Sequence, residues 1–558
     1  MIRQRFAVVL AIWFVGEAVA SPARTFLGKA VPSPAAEGGS RKHLPRIMSG
    51  LGSLHHPVST KNAEAQEFFD QGLKLVYSFN HDEARRSFER AAQLDPKLAM
   101  AWWGIALALG PNYNLPVEPA AEKAAFEAIQ KAMALQDNAS EPERAYINAL
   151  GFRYSNDPKA DLHQLDAAYR NAMAKLVQHY PDDLDAATLY AGSVMNLNPW
   201  KLWSHDGRPN EGTEEILAVL ESVLKRDPNH LGANHYYIHA VEASPNPERA
   251  LASAARLETL APAAGHLVHM PSHIYSRVGD HAASVRVNAR AVMADRKFAK
   301  YKPNAGVETS MLAVHNLHFL AYAYCMNGSF MEARAIADNM VAQVHPYLKE
   351  MPMLEGFLPT PFLVLLAFDR WNDLERLPAP DASLPITNAV WRFARAVALA
   401  NLGKIDLAEK EQVAWQQAAA RVPNDTVIIE LNTAGTIFKI HQYLLSAALA
   451  RSRHDSKGNV DFLNQAVAAE DALNYSEPPA FYPPVRPLLG RALIEAKQFV
   501  EAEQVFRADL ARNPRNRRSL AGLRDSLKAQ GREYEATLVD QQLREVDAPS
   551  APSARRRK

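Results

Sequence analysis

Histidines return along this chain at the spacing of a helical repeat, and no other feature constrains its fold as tightly. His235 and His239 are four apart, His269 and His273 are four apart, and each member of the first pair lies thirty-four residues before its counterpart in the second. Side chains four apart share one face of an α-helix, so successive helices present imidazoles from equivalent positions. A period of this length is the signature of stacked helix-turn-helix units that bury a continuous core between neighbours. A chain of 558 residues built that way need not divide into separate globules. Its 48% hydrophobic and 22% charged residues are ample for such a core.

The repeat can be followed at both ends. From Ala65 to Pro96, Gly72 stands at the eighth place, Ala84 at the twentieth, Phe88 at the twenty-fourth, Ala91 at the twenty-seventh and Pro96 at the thirty-second. Small residues at the eighth and twentieth places let paired helices approach, the aromatic fills the space between repeats, and the proline closes the second helix. Gly104 opens the next repeat in register before Gly110-Pro111-Asn112 signals a loop. Gly490, Phe499, Ala502, Phe506 and Pro514 restore the pattern, and Ala536 lies thirty-four residues after Ala502. Between these ends, 141–181 reads as further helices. A repeat starting at Asp182 is interrupted by an insertion over 196–212 that carries Trp200 and Trp203. Helical pairing returns over 388–421, and Tyr475 to Pro484 reads as a loop. No strand signal competes.

These residues carry a resemblance. Phe69-Asp70-Gln71-Gly72, the run Trp103 to Asn112, His235 to Ser244 and His266 to Tyr275 look like a family of often exported bacterial tetratricopeptide repeat (TPR) proteins, over roughly 52–546. The resemblance implies an all-α TPR-type helix-turn-helix solenoid, a right-handed superhelix whose first-helix faces line a concave groove. It supplies no activity, since repeat folds host many functions.

Both ends of the chain stand outside that expectation. Arg3 and Arg5, the apolar run Phe6 to Gly16 and Ala18-Val19-Ala20 form a signal peptide pattern with cleavage after Ala20, which predicts an exported, periplasmic or extracellular protein with no membrane span after cleavage. Residues 21–60 read as a disordered linker, and 547–558 as a disordered basic tail. Cleavage would remove two arginines and one glutamate and take the formal charge from +1 to zero, so no basic face calls for nucleic acid. Cys325 is the only cysteine, which excludes an internal disulfide.

Aligning the repeats puts His235, His239 and Glu242 at places five, nine and twelve, and His266, His269 and His273 at two, five and nine. His315, His318, Tyr322 and Cys325 follow at two, five, nine and twelve. All these places share one face of the first helix. Imidazoles from neighbouring helices can share a divalent zinc, copper, nickel or iron ion, and two histidines with one carboxylate suit iron(II). The expected metal ligands are His235, His239, His269, His273 and His318, converging on a solvent-accessible site. Glu242, His266, His315 and Tyr322 are expected to line the groove, where a protein, peptide or small-molecule ligand binds. The same face could instead hold structural histidines. A metalloenzyme in the groove is the alternative, with Glu242, Tyr275 or Tyr322 as acid or base. The pattern is not HExxH, and there is no Walker loop, GxSxG elbow or dinucleotide fingerprint.

Overall fold

A computed structural model describes residues 45–301 and 307–547. The expected signal peptide, most of the linker and the basic tail lie outside the described residues. Within them the chain is helical from Ala63 onward. The only strands among the described residues are a short antiparallel pair, Val427–Ile429 with Asn432–Thr433, closed by Glu430 in the left-handed region at φ 49°. No helix among the described residues is long and apolar enough to cross a membrane.

Contacts divide the chain into two compact units. The first holds residues 45–274, 287–301 and 307–316, the second 275–286 and 317–547. In each, consecutive helices pack in pairs, as Ala63–Val76 does on His81–Leu94 and Arg486–Glu495 on Phe499–Arg512.

The packing follows the glycine and aromatic spacing seen in the sequence. Phe88 is fully buried between Gly72 and Gly104, and a β-carbon on Gly72 would come within 2.6 Å of its ring. Phe506 is held in the same way between Gly490 and Gly522. Each aromatic thus locks one repeat to the next through a contact that only glycine permits. Gly104→Ala is expected to destabilise the first unit by about 1–3 kcal/mol despite the better helix propensity of alanine. A thermal melt with an unchanged midpoint would show that the Phe88 ring can give way.

The stretch 45–60, read from sequence as linker, has no helix but is tied down by polar contacts. Met48 N–H donates to Gln71 Oε1 at 2.6 Å, Ala263 N–H to the Gly50 carbonyl at 2.9 Å, and His56 Nδ1 lies 2.8 Å from Asp185 Oδ2. Proline and glycine content marks irregular backbone, and it does not distinguish a tethered strap from a free one.

The interrupted repeat is built as expected. Leu184–Met195 is followed by an insertion without helix, and Thr213–Arg226 completes the pair. The insertion folds back on the first unit: Leu202 is buried, and Trp203 Nε1 donates to the Ala240 carbonyl at 2.8 Å. The 388–421 pair appears as Pro385–Asn401 and Ile405–Ala419.

Candidate metal centre

The helix Leu231–Val241 carries His235 and His239. Gly265–His269 carries His266 and His269, Pro271–Arg277 carries His273, and Val307–Met326 carries His315. Pro271 lacks an amide hydrogen and breaks the middle helix in two, yet His269 and His273 still face one another, with their Nε2 atoms 2.7 Å apart.

The imidazoles gather in two triads. The ligand nitrogens of His235, His239 and His266 all lie within 4.8 Å of one another, and so do those of His269, His273 and His315. His235 Nε2 is 3.1 Å from His266 Nε2, and His315 Nε2 is 3.1 Å from His269 Nε2. These separations fall slightly inside the ~3.3 Å kept by two nitrogens each about 2.0–2.1 Å from a tetrahedral ion.

The surrounding acceptors fix which nitrogens are bare. His235 Nδ1 donates to the Tyr77 carbonyl at 2.7 Å, and a carbonyl can only accept. His239 Nδ1 donates to Glu242 Oε1 at 3.0 Å, and His273 Nδ1 to Glu242 Oε2 at 2.5 Å. One carboxylate therefore takes a proton contact from each of two successive repeats. In all three histidines the Nε2 lone pair is left facing inward, and His239 Nε2 has no hydrogen-bond partner. A carboxylate or carbonyl behind a histidine that presents its other nitrogen is the usual backing of a metal ligand. Asn288 Oδ1 stands 2.6 Å from His269 Nδ1.

Burial sets the electrostatics. Each of the five histidines from His235 to His273 is at most 5% exposed, and His315 is half-buried. Desolvation pushes His239 down to about 3 and His273 to about 4, and holds His235, His266 and His269 well below the ordinary imidazole range. At neutral pH these five are uncharged and able to bind a metal.

Several residues missed by the sequence reading wall the first triad. Phe79, in the left-handed region at φ 53°, stacks on His239 and His266 with ring centres 5.7 and 5.6 Å away. Tyr113 and Trp200 approach His239 at 5.1 and 6.2 Å and stack on each other. Tyr77, whose carbonyl orients His235, is anchored at its other end by its hydroxyl, which donates to Asp185 at 2.7 Å. Asp185 also meets His56 and His230, and despite burial these histidines hold it well below the usual carboxylate range. Asp185 is thus held by Tyr77, His56 and His230 together.

The structure places the expected site residues as follows. Five of the six clustered histidines are buried, where a solvent-accessible site was expected, and His315 alone among them is half-buried. Glu242 hydrogen-bonds one histidine of each triad. His266 and His315, expected to line the groove, complete the triads, because places five and nine of one helix meet place two of the next. His318, at place five of the third helix, is not a member of any metal-ligand group among the described residues; it lies in the second unit, where its ring meets Phe357 and Tyr482. Tyr322, Tyr275 and Cys325 belong to the second unit as well.

The helix pairs and their glycine and aromatic locks are those of a TPR-type repeat protein. No protein-family model matches the sequence, and neither does any curated protein. Among solved structures, the human IFIT1 dimer with PPP-AAAA is similar at 12% identity with a TM-score of 0.32, over 88% of this chain and 92% of that one. Yeast Tom70 is similar at 9% identity with a TM-score of 0.29, over 87% and 93%. The APC/C hetero-tetramer Cut9-Hcn1 gives 12% and 0.29, over 86% and 76%. At those scores none of them bears on the site.

Proposed function

We propose that this chain is an exported TPR-type protein whose first unit binds a transition metal through buried histidines. The observation that carries this reading is Glu242, whose two oxygens take the Nδ1 protons of His239 and His273 and leave both Nε2 lone pairs directed into the triads. Export rests on the basic start, apolar run and Ala-x-Ala pattern of the first twenty residues. Burial favours retention of the metal over turnover, because a catalytic ion needs an open coordination position.

The test is metal analysis of protein purified without an affinity tag, followed by calorimetry with zinc and with copper on the parent, His239→Ala, His273→Ala and the exposed His205→Ala. The two site variants should bind at least about tenfold more weakly than the parent, and His205→Ala should match it. No binding by the parent, or equal binding by all four proteins, leaves the histidines a structural role.

A further inference from the structure

We infer that the six imidazoles form two adjacent three-nitrogen centres, each taking one copper(I) ion. This rests on the metal-binding reading above and adds the number, oxidation state and identity of the ions.

The two triads are copies displaced by one repeat. His235 and His239 stand at places five and nine of their helix and meet His266 at place two of the next. His269 and His273 stand at the same places and meet His315 at place two of the one after. No nitrogen is common to both triads, so filling one leaves the other intact. A single ion shared by all six would require nitrogens of both triads to converge on one point. Instead, the closest nitrogen pairs lie within each triad: His235 with His266, and His269 with both His273 and His315.

Charge selects the oxidation state. An imidazole donates to a metal only in its neutral form, so the six donors would bring no charge, and Glu242 backs one member of each triad. Two monovalent ions against the Glu242 carboxylate leave one positive charge to be stabilised in a buried site, whereas two divalent ions leave three. Counting Asp295, which accepts from Asn316 at 2.7 Å, as a further negative charge would lower either sum by one and keep their order. Unbalanced charge is costly to bury. Imidazole donors accept copper readily, and no thiolate or directly coordinating carboxylate in the triads redirects the choice.

The experiment uses the full chain without a tag. It is stripped, then loaded under anaerobic conditions with cuprous ion in the presence of a copper(I) chelator, with zinc offered in parallel, and bound metal per chain is measured. Two coppers per chain are expected, retained in preference to zinc. His266→Gln and His315→Gln should each keep one copper, and the double variant none. X-ray absorption on the loaded parent should show nitrogen ligands and a second copper nearby, and it decides the matter if a variant fails to fold. One ion per chain overturns the pair while leaving the metal-binding reading in place. Two zinc ions held in preference to copper overturn the choice of metal. A parent that binds no metal removes both readings.

Discussion

Replacing His441 by phenylalanine should stabilise the second unit, and by more at pH 5 than at pH 7. His441 is buried in the helix Ala434–Ser452, stacked on Phe393 with ring centres 4.0 Å apart and planes 5° apart, and neither of its nitrogens has a hydrogen-bond partner. Each unsatisfied buried polar atom costs about 1–3 kcal/mol, and phenylalanine keeps the stack without that cost. Burial also pushes the His441 pKa down to about 3. Unfolded chains bind its proton near pH 6.5, so the unfolded state takes up more protons as pH falls below that value. The stability His441 allows is thus fully present above pH 6.5 and is lost as pH falls toward 3. At pH 5 the loss is about 2 kcal/mol, and phenylalanine removes it. Urea midpoints for parent and variant at pH 7 and pH 5 measure the double difference. A parent and variant that shift in parallel with pH would rule out the proton linkage.

The second large effect is expected at Glu242. In Glu242→Gln the amide oxygen can still accept from one Nδ1, but the amide nitrogen must donate to the other. That second imidazole then carries its proton on Nε2, which faces the triad, and ceases to be a ligand. Metal affinity should fall about 10–100-fold, while the near-identical shape of glutamine in a 1% exposed position leaves the fold in place. Competition titration checks the first expectation and a thermal melt the second. Unchanged affinity would mean that the carboxylate does not govern the tautomers of His239 and His273.

The repeat pattern made the fold legible, because Gly72, Phe88 and Gly104 are spaced as the packing requires, and so are Gly490, Phe506 and Gly522. The clustering of His235, His239, His269 and His273 was also legible from their period. The stagger was not. Place numbers align helices by sequence, whereas packed helices meet at an angle, so place two of one helix meets places five and nine of the helix before it. This brings in His266 and His315 and excludes His318. The contributions of Tyr77 and Phe79 could not be read either, since Tyr77 reaches His235 across 158 residues of sequence and Phe79 depends on a backbone conformation that side-chain identity does not reveal. Burial had a signal that went unused. Leu231–Val241 has no charged residue in eleven, which marks a helix covered on all sides, and all eleven are buried.

On the metal-binding reading, the aromatic cover over the first triad bears on rate as well as affinity. Phe79, Tyr113 and Trp200 close around His239, and the hydrogen bond from Trp203 to the Ala240 carbonyl pins the insertion that supplies Trp200. An ion approaching His239 from that side meets those rings first. On that reading, loading and release at this triad are expected to run at the rate at which the 196–212 insertion lifts, so that a chelator strong enough to win at equilibrium would still wait for the protein to open.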